Sequence, residues 1–276
     1  MSEPTGPAAV TMAQPLQGRR IVVTRAQAQA GDLVAQLRAL GAVPLECPAI
    51  QVVPPESYAP LDAAIAQTAR YDWIVFTSVN GVAAFMARLG HAGQTASRLG
   101  SLRLAAIGPA TAAALREHGL VPAFVPSAYV AEAIIAQIGD VAGQRMLLPR
   151  ADIARMALAV GLRAKGALVD EVTAYRTVAG AGWAGDWLRA RTIDALTFTS
   201  SSTVRYFGQS LAALGVDAAD LQRGPQRPAV VCIGPITAQT ARELGWPVDA
   251  VAEDYTTVGL IAALVHWFGA PGQKEP

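Results

Sequence analysis

Four short segments place small hydrogen-bond donors where a ligand could meet them. Thr77-Ser78-Val79-Asn80-Gly81 and Thr199-Ser200-Ser201-Ser202-Thr203 each follow an apolar run and precede an amphipathic one. Ile107-Gly108-Pro109-Ala110-Thr111 and Ile233-Gly234-Pro235-Ile236-Thr237 do the same. A Ser, Thr or Asn at such a junction offers a hydroxyl or amide at a helix N-terminus, where free backbone N–H groups and the positive end of the helix dipole favour an anion. In the second pair the Gly allows close approach, the Pro suits the first helical position, and the Thr hydroxyl either faces a ligand or caps the turn. One such turn is ordinarily only a helix cap. Four in two matched sets describe a surface of neutral donors able to hold carboxylates or phosphates without clustered Lys. Arg25 and Arg150, each directly after an apolar run, either add a positive charge to each set or pair with a nearby acid.

Other chemistries are missing from the chain. It contains no Gly-x-x-x-x-Gly-Lys loop, no Gly-x-Gly-x-x-Gly after the first apolar run, no His-Glu-x-x-His and no Gly-x-Ser-x-Gly elbow. Cys47, Cys232, His91, His118 and His266 are too few and too scattered for a disulfide framework or a zinc site, so neither metal nor cofactor is expected. Both cysteines lie in apolar surroundings and read as core thiols, which fits a reducing, cytoplasmic compartment. With 22 basic and 21 acidic side chains the net charge is +1, which removes any global attraction to nucleic acid or an anionic membrane. The apolar stretch from Val258 to Ala270 is shorter than the ~20 residues of a membrane span and carries His266. The first seventeen residues have neither the basic start nor the apolar run of a signal peptide and read as a loose tail. An enzyme built from this inventory would work mainly by positioning a substrate that is already reactive.

The elements that must position these groups are short apolar runs alternating with helical patterns. Runs begin at Arg20, Trp73, Leu102, Arg145, Ala195 and Ala229, and each ends in Thr, Ser, Gly or Pro before an amphipathic stretch. That alternation is the signature of strands feeding crossover helices in parallel sheets, and the fold class is α/β. The pattern predicts helices over Asp32–Leu40 and Thr111–His118, closed by Gly41 and Gly119. At 276 residues, 52% of them apolar, the chain suits one large or two medium domains.

An internal duplication decides between these. Gly18-Arg-Arg-Ile-Val-Val-Thr-Arg25 aligns with Gly143-Gln-Arg-Met-Leu-Leu-Pro-Arg150 at an offset of 125, and the same offset carries Ala39-Leu-Gly41 onto Ala164-Lys-Gly166. Tyr71-Asp-Trp-Ile-Val-Phe-Thr-Ser78 matches Ile193-Asp-Ala-Leu-Thr-Phe-Thr-Ser200, and Gly108 to Tyr129 spans 21 positions, as does Gly234 to Tyr255. Two similar lobes follow. The segments Val43–Val53 and Leu168–Val178 lack helical periodicity and read as extended connectors that could pair with each other. The repeat alone leaves open whether each lobe is contiguous or whether the lobes exchange their first strand and helix.

Taken together, Val-Thr-Arg25, Phe-Thr-Ser78-x-Asn-Gly, Ile-Gly-Pro-Ala-Thr111, Leu-Pro-Arg150, Tyr175-Arg176-Thr177, Phe-Thr-Ser200-Ser, Ile-Gly-Pro-Ile-Thr237 and Tyr255-Thr-Thr-x-Gly-Leu resemble the uroporphyrinogen-III synthase family from about Gly18 to His266. The resemblance implies two flavodoxin-like or Rossmann-like parallel-sheet lobes joined by a two-stranded ladder, with the active site in the cleft between them. Lobe 1 would be discontinuous, 18–45 with 179–268; lobe 2 would be 54–168, the ladder 46–53 with 169–178, and 1–17 and 269–276 flexible tails. It also implies a cytoplasmic, cofactor-free monomer acting on hydroxymethylbilane.

By the same resemblance Tyr175 is the candidate acid, donating its phenolic proton to the departing hydroxyl. Arg25, Thr77, Ser78, Asn80, Gly108, Thr111, Arg150, Thr199, Ser200, Gly234, Thr237 and Tyr255 are the candidate contacts for substrate carboxylates. The second Ser/Thr turn departs from the pattern, having Ser202-Thr203 where the first has Asn80-Gly81. A non-catalytic tetrapyrrole-binding or regulatory module is the alternative reading. A two-lobed sugar or amino-acid binder would be expected to carry a secretion signal, and a nucleotide-dependent transferase a phosphate loop.

Overall fold

The structure is a computed structural model and describes residues 14–180, 192–224 and 227–269. In chain order the elements begin with β1 (Arg20–Val23), α1 (Gln27–Ala39), β2 (Val43–Glu46), β3 (Ile50–Val53), α2 (Ala59–Ala66), β4 (Trp73–Phe76), α3 (Val79–His91) and β5 (Arg103–Ala106). There follow α4 (Pro109–Glu117), α5 (Ala131–Gln137), β6 (Arg145–Ala151), α6 (Ala157–Ala164) and β7 (Leu168–Ala179). The last stretch holds β8 (Ala195–Phe198), α7 (Ser201–Ala213), α8 (Ala218–Leu221), β9 (Ala229–Cys232), α9 (Pro235–Glu243), β10 (Ala250–Val251) and α10 (Thr257–Gly269). The chain forms two compact units, one from Met1–Ala49 with Gly180–Pro276 and the other from Ile50–Ala179.

The discontinuous unit carries a parallel sheet in the order β10-β9-β8-β1-β2. Because side chains alternate across a strand, its two faces bury different sets. Val22, Leu196, Phe198, Val230 and Cys232 pack with α7 and α9 through Phe207, Leu211, Ala238 and Ala241. Ile21, Val23, Ala195 and Val231 pack with α1 and α10 through Leu33, Leu37, Leu260 and Leu264. The continuous unit has the order β3-β7-β6-β4-β5, parallel except for β3. Ile74, Phe76, Leu104 and Leu147 face α2, α3 and α4, while Val75, Ala105, Met146 and Leu148 face α5 and α6. Each unit is therefore a sheet between two helical layers.

The duplication recurs in the packing. Phe76 meets Phe85 edge-on with ring centroids 5.6 Å apart, and Phe198 meets Phe207 at the same 5.6 Å. At the amino ends of the strands, the Asp72 carboxylate accepts the Arg145 backbone N–H at 2.8 Å, and the Asp72 N–H donates to the Arg145 carbonyl at 2.8 Å. Asp194 does the same for Arg20, at 2.8 and 2.9 Å. Gly41 and Gly166 end α1 and α6 at φ of 86° and 85°, the left-handed conformation that a Cβ disfavours.

Several boundaries differ from the sequence reading. The first helix starts at Gln27, not Asp32, since Ala26 to Gln29 carry no periodic apolar marker that would have announced a turn. The connector Val43–Val53 is two strands, β2 in one unit and β3 in the other, separated by Cys47, Pro48 and Ala49. Its counterpart is one twelve-residue strand, β7. From Leu168 to Tyr175 this strand runs parallel to β6, and from Arg176 to Ala179 it pairs antiparallel with β3. Leu16 is fully buried and its N–H donates to the Leu40 carbonyl at 3.0 Å, so 14–17 pack onto the unit although read as tail. The remaining tail positions expected at 1–13 and 270–276 lie outside the described residues. Both cysteines are free and buried, as core thiols should be.

Candidate active site

At the carboxyl edge of the sheet in the continuous unit, three of the expected residues, Ser78, Asn80 and Arg150, lie around the phenol of a fourth, Tyr175. Ser78 caps α3, its Oγ accepting the Gly81 N–H at 3.0 Å, and the same hydroxyl shares a hydrogen bond of 3.0 Å with the Tyr175 Oη. The Asn80 side chain also hydrogen-bonds Tyr175. Tyr175 is only 8% exposed. Burial raises its pKa above that of an ordinary phenol, opposed by the bonds from Ser78 and Asn80; Asp152 adds to the rise and Arg150 reduces it. The phenol is therefore protonated at neutral pH.

Backbone irregularity aims this side chain. Between Arg150 and Ala151 the β6–β7 register shifts, so that Arg150 stands opposite Thr173 and Ala151 opposite Tyr175. The extra residue, Ala174, is a bulge that breaks strict alternation, and both Ala174 and Tyr175 join the cluster that α3 covers. Gly81 lets α3 start close to the sheet: a Cβ there would stand 3.0 Å from the Pro149 carbonyl oxygen. Asp152, which the sequence reading passed over, lies beside the phenol and accepts the Thr177 N–H at 3.1 Å.

The repeat-related arginines differ. Arg150 is 6% exposed, and its Nη1 donates to Glu171 at 2.8 Å while Nη2 donates to the Arg155 carbonyl. It is the pairing alternative that holds for this residue. Arg25 forms no ion pair among the described residues, and its buried Nε has no hydrogen-bond partner. Burial lowers the pKa of both guanidinium groups, opposed by Asp32 for Arg25 and by Glu171 for Arg150. Each remains charged.

In the discontinuous unit the turns close upon themselves. Ser200 and Thr203 form a reciprocal capping box, Ser200 Oγ accepting the Thr203 N–H and Thr203 Oγ1 accepting the Ser200 N–H, both at 3.2 Å. Ser200 Oγ also shares a hydrogen bond of 2.8 Å with Ser202. Thr77 and Thr199 are half-buried at the ends of β4 and β8. The Gly-Pro-x-Thr turns have a structural use the sequence did not disclose. Gly108 and Gly234 are extended, and a Cβ would stand 3.0 Å from the ring of Tyr129 and 3.2 Å from that of Tyr255. The close approach is thus to a tyrosine, which explains the matched spacing of 21. Thr111 and Thr237 are buried within the first turns of α4 and α9, and neither caps its helix.

Among the described residues no cluster of His, Cys, Asp or Glu could hold a metal ion, and no helix is long and apolar enough to cross a membrane. Residues 31–262 match the sequence family described as uroporphyrinogen-III synthase HemD. The chain is 37% identical over 260 residues to the uroporphyrinogen-III synthase of Synechococcus elongatus, covering 92% of this chain and 97% of that one. Its fold resembles a crystal structure of a mutant uroporphyrinogen III synthase from Thermus thermophilus, with a TM-score of 0.66, 20% identity and coverage of 91% and 98%. It also resembles the Helicobacter pylori enzyme, at a TM-score of 0.56, 15% identity and coverage of 90% and 99%. The fold, the repeated turns and the match along nearly the whole sequence converge: this chain belongs to the uroporphyrinogen-III synthase family.

Proposed function

We propose that the protein cyclises hydroxymethylbilane to uroporphyrinogen III, with Tyr175 as the general acid. The observation that carries the reading is the buried Tyr175 phenol, kept protonated and hydrogen-bonded to Ser78 at the carboxyl edge of a sheet, in a chain of this family. The substrate supplies most of the reactivity. Its terminal C–O bond breaks, Tyr175 Oη gives its proton to the leaving hydroxide, and water departs from an electrophilic azafulvene. The electron-rich substituted carbon of ring D attacks the azafulvene methylene carbon to give a spiro intermediate; the old bridge bond breaks, and the unsubstituted position of ring D then attacks the freed, electrophilic bridge carbon. The proton lost from that position restores the phenol. The protein contributes orientation and acid catalysis, typically worth about 10²–10⁴-fold for the acid.

The carboxylate side chains of the bilane meet Arg25, Thr77, Thr199, Tyr255 and the N-termini of α4 and α9 in this reading. Arg25 is the strongest single contact, because its buried Nε lacks a partner. Gly108 and Gly234 act through the packing of Tyr129 and Tyr255 on the turns. The protein works as a cytoplasmic monomer without cofactor or nucleic acid. Supplying freshly generated hydroxymethylbilane and separating the products is the test. Dominant type III isomer supports the reading, and type I alone, the product of uncatalysed closure, contradicts it.

A further inference from the structure

We infer that Ser78 and Asn80 are positioning residues for Tyr175, acting through its phenolic oxygen and not by holding a substrate carboxylate. The inference rests on the reading of Tyr175 as the acid. It comes from a difference between two turns that the repeat makes equivalent. In the Thr199–Thr203 turn, Ser200 closes a reciprocal cap with Thr203 and shares its remaining capacity with Ser202. In the Thr77–Gly81 turn, Gly81 replaces the threonine, so Ser78 Oγ accepts one backbone N–H at 3.0 Å and still has a proton to give. That proton points to a use, since the Tyr175 oxygen lies 3.0 Å away.

Three features bring the pair together. The missing Cβ of Gly81 seats α3 against the Pro149 carbonyl, the bulge at Ala174 turns Tyr175 toward that helix, and Asn80 lies in the first turn to supply a second contact. The equivalent of Tyr175 in the repeat is Ile50, which has no oxygen to hold. The Asn-Gly and Ser-Thr variants of the turn thus follow the presence and absence of a phenol. When Tyr175 has passed its proton to the departing hydroxide, the phenolate accepts hydrogen bonds from the Ser78 hydroxyl and the Asn80 amide at the N-terminus of α3. The charged groups facing it, Asp152 and Arg150, are anchored elsewhere, Asp152 by the Thr177 N–H and Arg150 by Glu171.

A double-mutant cycle separates positioning from substrate binding. Ser78→Ala and Asn80→Ala should each lower kcat about 10- to 100-fold while leaving KM within about twofold. Ser78→Thr, which keeps both the hydroxyl and the helix cap, should restore most of the rate. In a Tyr175→Phe background neither Ala substitution should lower kcat further. Losses that multiply in that background, or that fall on KM, overturn the inference while leaving Tyr175 as the acid. A Tyr175→Phe protein with unchanged kcat removes the acid and this inference together. Should Ser78→Ala fail to fold for want of its cap, Asn80→Ala, which leaves the cap in place, gives the same reading.

Discussion

At the scale of single residues, Tyr175 is the point where burial and hydrogen bonding act on a phenol in opposite directions. Tyr175→Phe removes the proton donor and little volume, so we expect kcat to fall about 10²-fold while stability falls by only about 1 kcal/mol for the lost hydrogen bond to Ser78, measured by initial rates and calorimetry. Arg25→Ala should raise KM about tenfold and leave the fold intact, since no ion pair among the described residues depends on it. Arg150→Ala should instead destabilise by about 2 kcal/mol in denaturant titration, because it strips Glu171 of a buried partner at 2.8 Å. Equal effects of the two Arg substitutions would contradict this division. Sequence spacing made these arginines equivalent; only the fold shows that Glu171, 21 positions away in β7, occupies one of them. The Ser78 hydroxyl was legible as a turn donor, but its direction depends on the bulge opposite Ala151, and no residue type in that stretch announces a bulge.

At the scale of elements, the Gly-Pro turns are where pattern and packing part company. Their glycines suggested room for a ligand, and the proline at the first helical position is where the sequence placed it. The room is taken by Tyr129 and Tyr255, and a contact across 21 residues has no local signature beyond its repetition. Gly108→Ala and Gly234→Ala should each cost about 1–3 kcal/mol through overpacking against those rings, with strain absent because both backbones are extended. Denaturant midpoints within error of the parent would remove the packing explanation. The apolar runs gave β1, β4, β5, β6, β8 and β9 directly. The strand β7 was harder, because it changes partners at Arg176 and presents no single alternation along its length.

For the whole molecule, duplication is the feature the chain displays most openly, and the structure renders it as two sheets, two Phe pairs and two aspartates that each tie one strand to its neighbour. What the offset could not reveal is which copy of the Ser/Thr turn meets a phenol, since Tyr175, which Ser78 reaches at 3.0 Å, is matched in the repeat by Ile50. The central claim is that this family member inverts one ring while closing the macrocycle. Carbon-13 placed both at the hydroxymethyl carbon of the bilane and at the bridge-bearing carbon of ring D tests it most directly. A spectrum of the product with the two labels directly bonded is the predicted result. Labels that remain unbonded, with the hydroxymethyl carbon joined to the formerly free position of ring D, would contradict it.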